Sequence, residues 1–357
     1  MMALKTFLTI LLLAFTSNLI ASNIEILPEV ETDPVFTGGD AADDPAFWFN
    51  SKNPLESIVF GTDKKAGLHS FSLDGKRLQF IPSGKINNID SRSGYSFGAK
   101  KFAVLAGSNA SNNSIIIYLI NEDGVIDNLD KNEAITGLEG VYGLCMYKSK
   151  KSKATYIFIS DALTLSIYQY RVLNFFPIKI RLERQIKTNS TSEGCVVDDE
   201  DGILYFAQED ENSGVYFIDA EPVENEIKTI DRTTKYNGYI NGDTEGLALL
   251  NHQKGKLLIA SSQGSSDFTV YDLKSNNKYL GRFSIKKNKE IDGVSRTDGI
   301  EIYNGKINTD FKEGILIAQD DMNMENFDLD GVVLQAKKIN QNFKLIPINQ
   351  IIENFLD

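Results

Sequence analysis

The sequence predicts an all-β protein folded as a six-bladed β-propeller, a closed ring of sheets around a central channel. Three observations predict this fold: short apolar runs of period two, an aromatic residue that recurs about every 50 residues, and an acidic residue that recurs at about the same spacing. Turns rich in Gly, Asn and Asp separate runs such as "SIIIYLI", "TYIFIS" and "FTVYDL". A helical pattern appears only in the C-terminal "NQIIENF".

The aromatic series marks one strand in each repeat. Its first five members are Phe71, Tyr118, Tyr170, Tyr216 and Tyr271. A sixth candidate, Phe343 in "NFKLIP", follows about 70 residues after the fifth, and this longer step predicts an insertion in the last repeat.

The acidic series marks the start of a second strand in each repeat. Its members are Asp44, Asp90, Glu139, Glu193, Glu245 and Asp298. Because one acid is followed by one aromatic throughout, the chain divides into six units of three or four strands, which is the pattern of a propeller. We expect the early segment "NIEILPEV" to supply a strand that completes the last blade and closes the ring. A pair of β-sandwiches with chance spacing is the alternative.

The acidic series also predicts a metal site. If these acids begin the innermost strands, six carboxylates converge at one mouth of the channel, and further acids such as Asp43, Asp243 and Glu209 flank them. Like charges at short distance raise each other's pKa values, and bound cations relieve the repulsion. Oxygen ligands without His or Cys favour several Ca²⁺ ions. The alternative is that each acid is only a turn residue.

The first 22 residues have the features of a secretory signal: Lys5, an apolar stretch, and small residues before the expected cleavage site. The apolar stretch is short for a membrane anchor, the alternative interpretation. We therefore expect one domain over residues 23–357, secreted or periplasmic. The formal net charge of −12 argues against binding of nucleic acid or a membrane surface. A closed propeller needs no partner, so we expect a monomer.

Cysteine and histidine are scarce. An exported protein could pair Cys145 with Cys195, but two cysteines do not make a disulfide-built fold, and we expect them to be unpaired. The two histidines, His69 and His252, exclude a metal site built from several histidines. The chain also has no phosphate-cradling P-loop and no Gly-x-Ser-x-Gly nucleophile motif.

Nearly the whole chain after residue 22 resembles the β-propeller phytases, the alkaline, calcium-dependent phytase family. The runs that carry the resemblance include "GDAADDPAFWF", "TDKKAGL", "SEGCVVDDEDGILYFAQED", "EIDGVSRTDGIEI" and "NQNFKLIP". The resemblance implies a phosphoric monoester hydrolase of the 3-phytase type that acts on calcium phytate, the salt of myo-inositol hexakisphosphate. It implies several Ca²⁺ ions, attack by metal-activated water and no covalent intermediate.

The resemblance also implies roles for individual residues. Metal ligands would be Asp43, Asp44, Pro45, Ile89, Asp243, Glu193, Glu209, Glu245, Asp292, Asp298 and Asp320. Of these, Glu193, Glu209, Glu245 and Asp298 would surround the cleavage site and act in catalysis. Substrate phosphates would be bound by Lys64, Lys65 and Tyr142.

Two departures from the family pattern remove positive charge. Ala110 stands where the family has a phosphate-binding arginine, and no lysine is present near Ala162, where the family has one. Lys85 or Arg92 could substitute. Two alternatives therefore stay open: a non-catalytic, calcium-dependent propeller that binds inositol phosphates, and another calcium-dependent propeller hydrolase of the lactonase type.

Overall fold

Six antiparallel sheets form the six blades of a β-propeller in the computed structural model of the chain. The structure describes residues 23–127, 132–209, 214–288, 290–329 and 332–357, so the predicted signal sequence lies outside the described residues. Within the described part of the chain, no helix is long and apolar enough to cross a membrane. The predicted all-β fold and its six blades are confirmed.

Blades 1 to 3 follow one another along the chain, and in each blade the first strand is the innermost. Blade 1 contains the strands Ala42–Trp48, Ile58–Asp63, Gly67–Phe71 and Arg77–Ile81. Blade 2 contains Ile86–Phe97, Lys100–Asn109 and Ser114–Asn121, with Ile126–Asp127 and Glu133–Ile135 both paired to the third strand. Blade 3 contains Val141–Lys148, Thr155–Asp161, Ser166–Phe175 and Ile178–Lys187.

Blades 4 to 6 complete the ring. Blade 4 contains Cys195–Asp198, Ile203–Ala207, Gly214–Asp219 and Lys228–Arg232. Blade 5 contains Thr244–His252, Gly255–Ser262, Asp267–Asp272 and Lys278–Ile285. Blade 6 contains Ile300–Asn304, Gly314–Asp320 and Asn342–Pro347, and a hairpin of Met324–Leu329 and Val332–Lys338 lies between the last two of these strands in sequence.

The aromatic series lies in the third strand of every blade. All six side chains are buried: Phe71, Tyr118, Tyr170, Tyr216, Tyr271 and Phe343. The inserted hairpin in blade 6 accounts for the longer last step of the series. Each repeat predicted from the aromatic series therefore corresponds to one blade.

The N-terminal segment closes the ring with two strands rather than one. Val30–Glu31 pairs antiparallel with Asn342–Pro347 and becomes the outer strand of blade 6, as the sequence predicts. Ile24–Ile26 pairs in parallel with Lys278–Ile285 and adds a fifth strand to blade 5. The C-terminal helix Asn349–Phe355 then buries two isoleucines against the cluster between blades 5 and 6.

Six hydrophobic clusters fill the interfaces between neighbouring blades, one at each interface of the ring. At the closing interface, Phe343 of blade 6 packs against Phe71 of blade 1. Gly61 of blade 1 is needed there, because a Cβ at this position would lie 2.2 Å from the Phe343 ring. Burying each large apolar side chain stabilises the fold by roughly 1.5–3 kcal/mol.

A disulfide bond joins Cys145 and Cys195, so the expectation of unpaired cysteines was wrong. The two residues are 50 positions apart, which is one repeat, and they lie on the inner strands of blades 3 and 4. Inner strands of adjacent blades run side by side around the channel, so residues one repeat apart meet. The disulfide therefore crosslinks two neighbouring blades.

Candidate active site

A short irregular step begins the inner strand of each blade and forms the rim of the channel. In blades 1, 2, 3 and 5 the pairing register shifts across two residues at this point. In each of these four blades, two residues are skipped by the pairing, and the first of the two lies at the rim. Blades 4 and 6 have an equivalent residue just before the inner strand. The six residues are Asp43, Asn87, Tyr142, Glu193, Glu245 and Asp298. We call these six residues the rim positions.

A glycine follows the rim position in four blades because adjacent blades approach very closely there. A Cβ on Gly194 would lie 1.7 Å from the backbone oxygen of Glu245, and one on Gly143 would lie 2.0 Å from that of Glu193. Only glycine allows this approach. In the acid-Gly-apolar pattern of the sequence, the acid is therefore the residue at the rim, and the glycine allows the close approach of the next blade.

The rim differs from the predicted ring of six carboxylates. It contains four carboxylates, the amide of Asn87 and the phenol of Tyr142. Three acids of the predicted series, Asp44, Asp90 and Glu139, are displaced from it by one to three residues. The repeat spacing of the acidic series predicts which short segment of each blade lies at the rim. It does not determine which residue of that irregular segment points to the channel mouth.

A cleft of about 350 Å³ lies above the rim. Its lining residues are Asp40, Lys64, Tyr142, Glu193, Glu245, Gln263, Arg296, Asp298 and Asp321. Five of these nine side chains are carboxylates and two are cationic, so the lining of the cleft has a negative formal charge.

Glu193, which precedes the inner strand of blade 4, is held in place by one donor from blade 2 and one from blade 3. Asn87 Nδ2 donates to Glu193 Oε1 at 2.6 Å, and the Tyr142 hydroxyl donates to Glu193 Oε2 at 2.5 Å. Burial and the coulombic effect of Glu193 raise the pKa of Tyr142, so this phenol keeps its proton and remains a donor. The orientation of the Glu193 carboxylate is therefore fixed before any ligand binds.

Lys64 is surrounded by three carboxylates of the cleft. Its Nζ lies 2.8 Å from Asp40 Oδ1, 2.9 Å from Asp43 Oδ1 and 3.4 Å from Asp298 Oδ2. Although burial disfavours the charged amine, these carboxylates raise the pKa of Lys64 above its ordinary value. Gln263 Nε2 donates to the other oxygen of Asp298 at 2.8 Å.

The remaining acids form a group suited to a metal ion. Glu193, Glu209 and Glu245 each offer a carboxylate oxygen, and these oxygens lie within 4.8 Å of one another. Burial, followed by the charges of Glu245 and Glu209, raises the pKa of Glu193 well above its usual value. Burial likewise raises the pKa of Glu245, and it raises that of Glu209 to about 7. A cation is what would allow all three groups to be ionised together.

Unpaired oxygens support the same conclusion. Asp43 Oδ2, Glu209 Oε1 and Glu245 Oε2 are buried, and none has a hydrogen-bond partner among the described residues. Buried polar atoms normally find partners, so three orphaned carboxylate oxygens in this part of the structure are suited to hold a cation. The donor set consists of oxygens alone, which suits a hard divalent ion such as Ca²⁺.

Three predicted ligands lie in a separate cavity. Asp44, Pro45 and Ile89 line a space of about 310 Å³ along the channel, below the rim. Asp44 Oδ2 accepts from the backbone N of Ile89 at 2.9 Å. Arg92 lines this same cavity, not the cleft, and it is bound to Asp90 at 2.6 Å and to a second aspartate. The structure does not bring Arg92 to the cleft where a phosphate-binding residue was expected.

Asp292 and Asp320 surround a lysine of blade 6. Lys344 is fully buried, and its Nζ donates to Asp292 Oδ1, lies 2.5 Å from Glu31 Oε2, and lies 3.7 Å from Asp320 Oδ2. The ammonium group already supplies a positive charge between these acids. Neither aspartate lines the cleft, and neither belongs to the group of Glu193, Glu209 and Glu245 with which the resemblance had combined them.

The other predicted residues lie at the edge of the cleft or beyond it. Lys65 is exposed and donates to the backbone oxygen of Gly38 at 3.0 Å. Lys85 is also exposed, and its backbone oxygen accepts from the N of Ala110. Asp243 lies near Glu209 and contributes to the raised pKa of that residue, after burial.

Four residues of the site were not assigned roles from the sequence. Asn87 orients Glu193, Gln263 orients Asp298, Asp40 pairs with Lys64, and Arg296 lines the cleft. Asn87 could have been found from its position in the repeat, since it lies about one repeat before Tyr142 and about one repeat after Asp43. Gln263 begins a short 3-10 helix and Arg296 lies in a loop, and neither position carries such a signal.

A six-bladed propeller with a group of carboxylates in a cleft over its channel defines a class of protein, and sequence comparison gives the particular family. A model of the phytase family matches residues 2–357. The 3-phytase of Bacillus subtilis (strain 168) is 34% identical over 360 residues, covering 96% of this chain and 91% of that protein. The chain belongs to the phytase family.

Solved structures are similar at a lower level. A functionally unknown protein from Desulfotomaculum acetoxidans DSM 771 is 17% identical, with a TM-score of 0.46, and the match covers 66% of this chain and 70% of that chain. The complex of BBS1N with ARL6DN, soaked with lead, contains a chain that is 9% identical, with a TM-score of 0.49 over 85% of this chain and 78% of that one.

Proposed function

We propose that the protein is a calcium-dependent phytase that hydrolyses phosphate monoesters of myo-inositol hexakisphosphate. The observation that carries this proposal is the group of Glu193, Glu209 and Glu245 at the cleft, with two of its buried oxygens unpaired. Membership of the phytase family and the 3-phytase relative supply the reaction and the substrate class.

Calcium would be held by the acids that face one another at the cleft. These are Asp43, Glu193, Glu209, Glu245 and Asp298, with Asp243 beside them. Bound Ca²⁺ would neutralise phosphate oxygens and lower the pKa of a water molecule. Asp292 is paired with Lys344 and does not line the cleft, so we do not include it in the proposed catalytic centre.

The side chains of the cleft divide into two roles. Both oxygens of Glu193 accept a hydrogen bond, so this residue is an oriented ligand. Glu245 Oε2 has no partner among the described residues and is the better general base. In the proposed reaction, a water oxygen attacks phosphorus, and one proton of this water passes to Glu245. The bond from phosphorus to the inositol oxygen breaks, and the inositol oxygen takes up that proton from Glu245, so the products are an inositol hydroxyl group and inorganic phosphate.

The test compares two glutamates of the predicted acidic series. Glu193→Gln and Glu245→Gln keep the shape of the side chain but remove its charge, so each should lower phosphate release from phytate at least about a hundredfold. Glu139→Gln is the matched control, because Glu139 is exposed and lies outside the cleft. It should retain the rate of the unmodified protein.

Two results would reject the proposal. The first is an unmodified protein that is folded and loaded with calcium but releases no phosphate above background. The second is an unchanged rate in Glu245→Gln. Binding of phytate without turnover would instead favour the non-catalytic, inositol-phosphate-binding alternative.

We also propose that the protein is exported and acts as a monomer. The Cys145–Cys195 disulfide supports export, since disulfides form and persist in oxidising compartments. Mass spectrometry of the protein recovered from its host is the test. A mature chain that begins near residue 23 is expected, and an intact Met1 in a cytoplasmic fraction would contradict the proposal.

A further inference from the structure

Hairpins of blades 2 and 3 extend unusually far from the rim. The inner strand of blade 2, Ile86–Phe97, has 12 residues, whereas the inner strands of the other blades have between 4 and 9. The third and fourth strands of blade 3, Ser166–Phe175 and Ile178–Lys187, have 10 residues each, and their described counterparts in other blades have at most 8. Because inner strands begin at the rim and neighbouring strands are antiparallel, both hairpins turn on the face opposite the cleft.

Packed aromatic rings join the two hairpins. The ring centroid of Tyr95 in blade 2 lies 4.7 Å from that of Phe175 in blade 3, and the ring of Phe102 lies 6.4 Å from the same ring. The Tyr95 hydroxyl is also 3.0 Å from Thr155 Oγ1 of blade 3. Edge-to-face rings at these distances attract one another, so the two hairpins form one structural unit. A groove of about 910 Å³ lies between their ends.

Apolar side chains are exposed along this groove. Phe97 is 84% exposed at the end of the blade 2 hairpin, and Leu173 and Phe176 are each 54% exposed at the end of the blade 3 hairpin. Val125 of blade 2 is exposed as well and lines the same groove. We call these four residues the tip patch. Apolar patches that stay exposed on a folded protein mark surfaces that contact a partner or a membrane.

Cationic side chains line the groove together with the tip patch. Five cations and two acids are present: Lys52, Lys100, Lys101, Lys153, Arg171, Glu122 and Asp123. Lys52 pairs with the two acids, at 3.7 and 3.5 Å. The side chains of the other four cations have no ion pair or hydrogen bond within the described part of the chain. The groove is therefore positive, in a chain whose formal net charge is −12.

Local charge, and not net charge, governs contact at this face. Phe97 follows Asn87 of the rim by ten residues along one strand, which corresponds to about 30 Å. Exposed charges that are more than about 8–10 Å apart are largely screened at physiological ionic strength. The carboxylates of the cleft are therefore too far away to cancel the cations of the groove, and the net charge does not prevent this face from binding an anionic surface.

We propose that this face docks on an anionic lipid bilayer. The tip patch enters the layer between head groups and acyl chains, and the four unpaired cations contact lipid phosphates. The observations favour a bilayer over an acidic segment of a partner protein, because Phe97 and Phe176 are exposed at the ends of two hairpins, where a flat surface contacts both at once. Docking in this orientation leaves the cleft open to water. The inference does not rest on the proposed function.

Sedimentation with lipid vesicles tests the proposal. The calcium-loaded chain of residues 23–357 should bind vesicles with about 30% phosphatidylglycerol in phosphatidylcholine at least about tenfold more strongly than vesicles of phosphatidylcholine alone, and high salt should weaken this binding. Phe97→Ser with Phe176→Ser, and Lys100→Gln with Lys101→Gln, should each lower the partition coefficient at least about tenfold. Because these side chains are exposed, Tm should change by less than about 2 °C.

Two matched controls change similar side chains outside the groove. Leu78→Ser with Leu163→Ser alters two exposed apolar residues, and Lys286→Gln with Lys287→Gln removes two adjacent exposed lysines after the last strand of blade 5. Both double variants should bind the anionic vesicles as the unmodified protein does. Weaker binding in the controls that equals the loss in the groove variants would overturn the assignment to the groove.

Other outcomes would also overturn the proposal. The unmodified protein would then bind both kinds of vesicle equally, or neither of them. Binding that is lost in chelator but unchanged in Lys100→Gln with Lys101→Gln would reject the groove, since calcium would then bridge acidic side chains to lipid. Retention on immobilised poly-glutamate without vesicle binding would reject the bilayer and assign the groove to an acidic polypeptide.

Discussion

At the scale of single residues, Lys64 offsets negative charge in the cleft. It contacts three carboxylates, so it offsets part of the negative charge when no metal is bound. Its neighbour Lys65 lies on the same turn but extends to the backbone of Gly38 and contacts none of these acids. Adjacent lysines with the same side chain therefore have very different surroundings.

These surroundings predict different effects of the same substitution. Lys64→Met should lower the free energy of unfolding of calcium-free protein by about 3 kcal/mol, because it leaves partly buried acids without their cation. Lys65→Met, the matched control, should change it by less than about 0.5 kcal/mol. Chemical denaturation in chelator measures both. Equal effects of the two substitutions would contradict the role of Lys64.

Calcium should reverse the effect of Lys64→Met. The substitution removes a positive charge next to the proposed metal ligands, so the metal should bind more tightly and stabilise the variant more than the unmodified protein. Thermal unfolding with and without calcium tests this. A smaller calcium-dependent rise of Tm in Lys64→Met than in the unmodified protein would count against the proposed metal position.

The sequence predicts individual site residues unevenly. Glu193, Glu245 and Asp298 follow the repeat and lie at the rim. Asp44 and Asp90 fall one and three residues from the rim and line the channel below it. The register within a short irregular step depends on contacts between blades, and such contacts are not encoded in spacing alone.

At the scale of elements, the disulfide joins the inner strands of blades 3 and 4 across 50 residues. In the chain-entropy description, a crosslink of this span stabilises the fold by about 4 kcal/mol. Cys145→Ser with Cys195→Ser should therefore lower the free energy of unfolding by a value of this order. Chemical denaturation at constant calcium measures it, and reduction of the unmodified protein should give a similar loss. A loss below about 1 kcal/mol would contradict the expectation.

Strands and their order were predictable to a large extent, since period-two runs and turn residues mark them directly. The cysteine pair was not predicted, although both residues were visible. The two cysteines are one repeat apart, and this spacing predicts a disulfide only if the inner strands of adjacent blades are known to lie side by side. The second N-terminal strand, Ile24–Ile26, was also missed, because its partner is about 260 residues away in sequence.

At the scale of the whole molecule, the N-terminal segment closes the ring. Val30–Glu31 completes blade 6, and Ile24–Ile26 extends blade 5, so one segment binds the last two blades. A chain that begins at residue 33 should unfold at a Tm at least about 5 °C lower than a chain that begins at residue 23. Thermal unfolding of the two chains is the measurement, and equal Tm values would show that the segment does not contribute to closure.

The central claim is that an acidic cleft on a closed propeller uses calcium to hydrolyse phytate. The most direct test is phosphate release from phytate by the chain of residues 23–357, first in excess chelator and then after calcium is added back. We predict release near background in chelator and recovery of the full rate with calcium, because three closely spaced glutamates need a cation to be ionised together. The same rate in chelator as in calcium would contradict the account.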